Sequence, residues 1–291
     1  MGNSYGNYEK VIILNRAASP AGLEIAVLLA SRGYRVYALT RRLGGVGTLD
    51  DLVNKNSLSH LVTTIHLEGD GENYAAALEK VKVEIMDREA EKFYEDNAPE
   101  LILINNSSDY RMRAALEELS REQLAREMER NFLYSLDFFK PYLPLLRQQG
   151  KGRLIQITGY MGRIGFPLHV ADAASLFALE GMMESLRQEL MPFGIFVSIV
   201  EPGPQLDESD GPDFKPDKDS PYKSMHSSLE RFDTRLEKWH VTPRETAEVV
   251  LSACRSGNPL LRYQAGPAGF LARVVSSLLP QALMDGVYRM L

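Results

Sequence analysis

Three side chains fall close enough together along the chain to share one proton-transfer site: Tyr160, His169 and Asp172. His169 precedes Asp172 by three residues, where a loop is expected to enter a helix. Histidine titrates near neutrality, a carboxylate can orient it, and a phenol can give up a proton. Such a trio suits general acid–base work that needs no cofactor, such as isomerisation, dehydration or cyclisation. A plainer reading competes with it. Asp172 stands before Ala173-Ala174-Ser175 at a helix start, where aspartate is favoured as an N-terminal cap or by the helix dipole. Tyr110, Arg111 and Arg113 either face the same cleft or lie in a solvated loop.

Other chemistries find no support. The five histidines (His60, His66, His169, His226, His240) are scattered, and no paired-cysteine or H-x-x-x-H spacing exists, so no metal is expected. No G-x-S-x-G elbow is present.

The elements that must position these residues alternate strand and helix. Val11–Leu14 is a short apolar run of the kind buried on both faces of a sheet. Gly22–Arg32 has helical spacing and Gly33 as its stop, and Arg35–Thr40 is a second strand. Further strands are expected at Leu61–Leu67, Leu101–Ile104, Arg153–Thr158, Ile195–Val200 and Leu260–Gln264. Helices are expected at Asn73–Tyr94, within Ser120–Arg147, at Ala171–Met191 and at Thr242–Arg255. The βαβ repeat predicts a doubly wound parallel α/β sheet in one Rossmann-type domain, with ligands at the carboxyl ends of the strands. The core is expected over 8–204, a lid-like segment over 205–240 and a C-terminal extension over 241–291. Gln205–Lys223 reads as a mobile loop or linker, and Ala268–Leu291 as an amphipathic helix. Gly44-Gly45-Val46-Gly47 reads as a flexible loop, since no Lys or Ser/Thr helix start follows it.

Composition sets bounds. The 291 residues carry a net charge of −6, which argues against a nucleic-acid partner. A single cysteine, Cys254, predicts a reducing, cytoplasmic setting. No signal peptide, lipidation signal or transmembrane segment is expected.

Several stretches taken together resemble the short-chain dehydrogenase/reductase family. They are LINNS (Leu103–Ser107), KPYLPLLRQQGKGRLIQITG (Lys140–Gly159), FALEGMMESLRQELMPFGIFVSIVEPGP (Phe177–Pro204) and LRYQAGP (Leu261–Pro267). The branch is similar to the 17β-hydroxysteroid and retinol dehydrogenases. The resemblance implies hydride transfer between NAD(P) and an alcohol or ketone. A tyrosine would donate the proton, and a lysine four residues later would tune it and hold the ribose. A serine and an asparagine would assist.

Aligned on FALEG, the tyrosine position holds Asp172 and the lysine position Leu176. The serine position falls on Gly159 or Tyr160, and the asparagine is kept as Asn131. Leucine has no hydrogen-bonding group, and an ordinary aspartate is ionised at neutral pH. The family's hydride chemistry is therefore expected to be disabled.

The cofactor turn has drifted as well. Where the family has T-G-x-x-x-G-x-G, this chain has Asn15, Arg16, Pro20 and Gly22. Arg16 either folds over a phosphate or fills an empty site. The family's acidic residue near the adenine falls on Glu68, the N-N-A-G turn reads Asn105-Asn106-Ser107-Ser108, and Tyr134 stands where a glycine is common. No cofactor is expected. The alternative is NADP, held by Arg16, Gly22, Arg41 and Asn105, with Arg41-Arg42 placed to meet a 2′-phosphate.

The sequence thus predicts a family-like protein that has lost redox activity and serves as a pseudoenzyme, binding or assembly subunit. It would form a homo- or hetero-oligomer, such as a dimer, through its two long helices, and a lipophilic small molecule is a candidate ligand. The alternatives are a cofactor-independent acid–base enzyme using Asn131, Tyr160, His169 and Asp172, and an atypical NADP-dependent oxidoreductase.

Overall fold

A computed structural model describes residues 9–40, 43–67, 73–93, 98–106, 112–204, 219–236, 239–267 and 269–270. Seven parallel strands form one sheet: β1 (Lys10–Asn15), β2 (Arg35–Thr40), β3 (Val62–His66), β4 (Glu100–Asn106), β5 (Gly152–Ile157), β6 (Ile195–Pro202) and β7 (Arg262–Ala265). Their order across the sheet is β3-β2-β1-β4-β5-β6-β7. The connections reverse direction between β1 and β4, which opens a crevice at the carboxyl ends of those strands.

Alternation along β1 explains the two cores. Val11 and Ile13 point into one layer, with Tyr74, Tyr134, Phe138 and Met183. Ile12 and Leu14 point into the other, with Ile25, Leu29, Val250 and Leu251. The strands between the edges are buried on both faces, so β1 and β4 carry unbroken apolar runs such as Val11–Leu14 and Leu101–Ile104.

The helices are α1 (Pro20–Ser31), α2 (Leu43–Lys55), α3 (Tyr74–Phe93), α4 (Arg121–Met128), α5 (Tyr134–Phe139), α6 (Leu143–Gln149), α7 (Val170–Leu190), α8 (Lys223–Leu236) and α9 (Pro243–Arg255). Two differ from the sequence expectation. The glycine-rich stretch taken for a loop lies in α2, because Leu49 and Val53 one turn apart bury against the sheet and outweigh the glycines. The long helix expected within 120–147 is irregular. A π-turn over Glu129–Leu133 links α4 to α5, and a 3-10 turn over Lys140–Tyr142 links α5 to α6. Pro141 and Pro144 lack the N–H groups a regular helix needs there.

The expected lid region contains α8, whereas residues 205–218 lie outside the described residues, as do nearly all of 268–291. No helix among the described residues is long and apolar enough to cross a membrane.

Candidate functional site

The crevice begins at the end of β1. Asn15 pairs with Asn105 in register, and its Nδ2 donates to Asn105 Oδ1 at 2.7 Å and to the Tyr74 hydroxyl at 2.9 Å. Asn105 Nδ2 donates in turn to Ser135 Oγ and Gln156 Oε1. This buried amide ladder ties β1, β4, β5 and α5 together and spends the Asn105 side chain within the sheet. Tyr134 lies in the same layer, its ring 4.3 Å from that of Tyr74, so it fills core rather than the crevice.

The turn into α1 is tight. Ser19 caps the helix by accepting the Gly22 N–H at 3.0 Å, and Asn106 Nδ2 donates to the same hydroxyl at 2.7 Å. Arg16 keeps the left-handed backbone, at φ 55°, that a glycine there would adopt freely. Gly22 is fixed by contact: a Cβ there would lie 2.4 Å from the Arg16 carbonyl oxygen, which is backbone and cannot swing away. Gly22→Ala is expected to cost roughly 2 to 3 kcal/mol as an overpacking substitution, read as a lowered midpoint in urea unfolding.

Across the crevice, Ser120 caps α4 in a reciprocal capping box with Gln123. That helix presents Glu127 and, one turn on at the π-turn, Asn131. Single π-turns often mark functional sites. Asn131 is buried, its Nδ2 donates to Ser175 Oγ at 2.9 Å, and its backbone carbonyl accepts from Ser135 Oγ at 2.7 Å.

Helix α7 packs on α4 and supplies the other wall. His169, not Asp172, is its N-cap residue, which overturns the capping reading of Asp172. Asp172 lies in the first turn instead, only 1% exposed, and accepts the Met112 N–H at 3.4 Å. The dipole still favours its charge. His169 Nδ1 donates to the Pro167 carbonyl at 2.8 Å, and its ring meets Phe166 edge to face.

The structure also brings in a residue that sequence reasoning missed. Glu127 is fully buried, with Asp172 as its charged neighbour. Burial, together with the negative charge of Asp172, pushes the Glu127 carboxyl up to about 8, against the pull of Arg130. A buried carboxyl near a negative charge ionises only at a cost, so Glu127 keeps its proton at neutral pH. No sequence signal set Glu127 apart from the other charges of α4.

Leu176 lies one turn along α7 from Asp172, inside an apolar cluster with Tyr160, Met161, Ile164 and Leu179. Tyr160 is part of that packing and stacks edge to face on Phe166, its ring 6.3 Å away. Beyond it, Phe166 meets Phe232 of α8 at 5.9 Å, and Leu229 packs on Ala115 and Leu168. Helix α8 therefore covers the apolar side of the site.

A second buried charge cluster stands behind Thr158. Arg262 bonds Glu180 at 2.9 and 3.1 Å, contacts Glu201 at 3.2 Å and reaches Glu184. Thr158 Oγ1 donates to Glu180 at 3.1 Å, and Gln264 donates to Glu201 at 2.7 Å. Burial and the Glu201 charge raise the Glu180 carboxyl to about 7.

Arg41, Arg42, Glu68, Ser107, Ser108, Tyr110 and Arg111 lie outside the described residues. Arg113 is described and half-buried.

A parallel doubly wound sheet with a capped turn after β1 defines a Rossmann-type fold. A model of the family described as short chain dehydrogenase matches residues 10–209. The chain belongs to the short-chain dehydrogenase/reductase family. It is 28% identical to retinol dehydrogenase 8 of Bos taurus over 271 residues, covering 87% of this chain and 80% of that protein. It is also 28% identical to 17-beta-hydroxysteroid dehydrogenase type 1 of Homo sapiens over 276 residues, covering 87% and 76%. Among solved structures, a short-chain dehydrogenase from Streptomyces avermitilis superposes with a TM-score of 0.75 at 23% identity, covering 98% and 95%.

Proposed function

We propose that this chain has given up NAD(P)-dependent hydride transfer and acts through what its cleft and outer helices bind. Leu176 is the observation that carries this reading. It occupies the lysine position and is packed among apolar side chains, where nothing can hold a ribose or tune a proton donor. The cofactor turn supports it. Pro20 offers no N–H, and the amides of Arg16, Ala17, Ser19 and Gly22 are spent on Asn15 Oδ1, Leu39 O, Arg16 O and Ser19 Oγ. A dinucleotide held in the family's way does not fit a turn so closed on itself. Exposed Leu133, Leu136, Val170 and Phe177, on and beside α5 and α7, support a role in assembly.

A second reading, an atypical NADP-dependent oxidoreductase, is favoured by the glycine-like backbone kept at Arg16 and by the relatives named as dehydrogenases. Following NADPH and NADH absorbance with sets of ketones and aldehydes separates the two. No oxidation above the protein-free rate is expected, together with a mass in solution above the 32.6 kDa of one chain. Steady turnover of either dinucleotide would establish the second reading.

A further inference from the structure

We propose that α8 is a releasable cover and that Glu118 is the catch holding it to the body of the protein. Such a catch serves the cleft whatever binds there, with or without a dinucleotide.

The apolar hold on α8 is thin. Leu229 is the one fully buried side chain among those described in this 14-residue helix. Helix α9, with 13 residues, buries Thr246, Ala247, Val250, Leu251, Ala253 and Cys254. Leu229 rests on Ala115 and Leu168, and the half-buried Phe232 meets the Phe166 ring at 5.9 Å. Elements with few buried apolar contacts open at the low end of a protein's range of local stabilities.

The polar hold converges on one carboxylate. Glu118 ends the 3-10 turn Leu116–Glu118. Its Oε1 accepts from the hydroxyl of Ser220, three residues before α8 begins. His226 Nε2, in the first turn of α8, stands 3.5 Å from Oε2. Oε2 also accepts the Ala115 N–H at 3.1 Å, which aims the carboxylate. Ser220 Oγ accepts the Tyr222 N–H at 3.0 Å, so the entry turn of α8 closes on the same hydroxyl that Glu118 holds. Hydrogen bonds to an ionised acceptor are stronger than neutral ones, and here they meet at a single residue.

Beneath the cover the backbone is strained. Leu168 is buried against Leu229 with φ at 60°, a left-handed conformation that is costly for a residue with a Cβ. Such strain persists only where the surroundings impose it. Leu229 packs on this residue, and the Ala114 N–H donates to its carbonyl at 2.8 Å. The same run of chain reaches α7, where the Met112 N–H donates to Asp172 at 3.4 Å. Segment 112–118 therefore joins α8 to the first turn of α7. Loss of the Glu118 contacts frees the cover, uncovers Phe166 and Leu168, and lets the Leu168 backbone relax.

The test is hydrogen–deuterium exchange of the full chain, read by mass spectrometry on the wild type and on Glu118→Ala. Peptides from α8 are expected to exchange about tenfold faster in the variant, with smaller gains over 112–118 and 166–169, while β4 and β5 keep their wild-type rates. Trp239, the single tryptophan, lies three residues past α8 and should become about twofold more open to acrylamide quenching. Ser220→Ala should give part of the same gain, and adding it to Glu118→Ala should give little more, because both remove one contact. Glu230→Ala removes an exposed acid of α8 and should change nothing. Unchanged α8 exchange in Glu118→Ala overturns the proposal. So does acceleration spread evenly over the strands, which marks a general loss of stability, or full additivity of Glu118→Ala and Ser220→Ala, which places them in separate contacts.

Discussion

Arg262→Ala is expected to destabilise the protein by about 3 to 5 kcal/mol, the cost of leaving buried carboxylates without their cation. The guanidinium binds Glu180 through two nitrogens and also contacts Glu201. Glu180 is only 5% exposed and Glu201 only 1%. Removing the arginine leaves Thr158, Gln264 and a distant Arg163, 3.9 Å from Glu201, to face two buried acids. The loss should grow with pH. Glu180 already sits near 7, above its ordinary value, so the folded state binds the extra proton and its stability falls as pH rises from about 4.5 to about 7. Without Arg262 that upper limit moves higher. Urea unfolding at pH 5 and pH 8 reads both effects: a large drop at pH 8 and a smaller one at pH 5. Equal drops would mean that the arginine contributes packing rather than charge.

Glu127→Gln is expected to do the reverse at alkaline pH. Glu127 is held up to about 8, so between about 4.5 and 8 the folded state binds a proton that the unfolded chain releases. The wild type therefore loses stability as pH climbs through that window. By pH 9 the cost of burying two adjacent charges reaches the order of 3 to 5 kcal/mol, taking 1.4 kcal/mol per unit and allowing for relaxation. Glutamine keeps the shape of the protonated acid and cannot ionise. The variant should match the wild type near pH 5 and exceed it at pH 9, with a flattened stability profile. A profile parallel to the wild type would show that Glu127 carries no proton.

The same two carboxyls show where sequence reading stops. The strands were readable because parallel sheets bury both faces and so write themselves as runs such as Val11–Leu14. Asp172 and Leu176 were readable because FALEG anchors the register of α7. Glu127 was not. It lies among Glu122, Arg126, Glu129 and Arg130, and a helix so charged reads as a solvated face. Only the packing of α4 on α7 makes one of those charges interior. The same limit hid the Glu180, Glu201 and Arg262 cluster, whose members come from α7, β6 and β7. It also hid α2, where burial of Leu49 and Val53 outweighs local glycine preference.

Titration calorimetry with NADPH and NADH tests the loss of hydride chemistry without needing a substrate. No heat of binding is expected for either dinucleotide up to about 1 mM, which bounds the affinity at roughly −4 kcal/mol. Micromolar binding of NADPH would contradict it, since Arg16 would then have rebuilt a phosphate site in a turn where the amides of Arg16, Ala17, Ser19 and Gly22 already have partners.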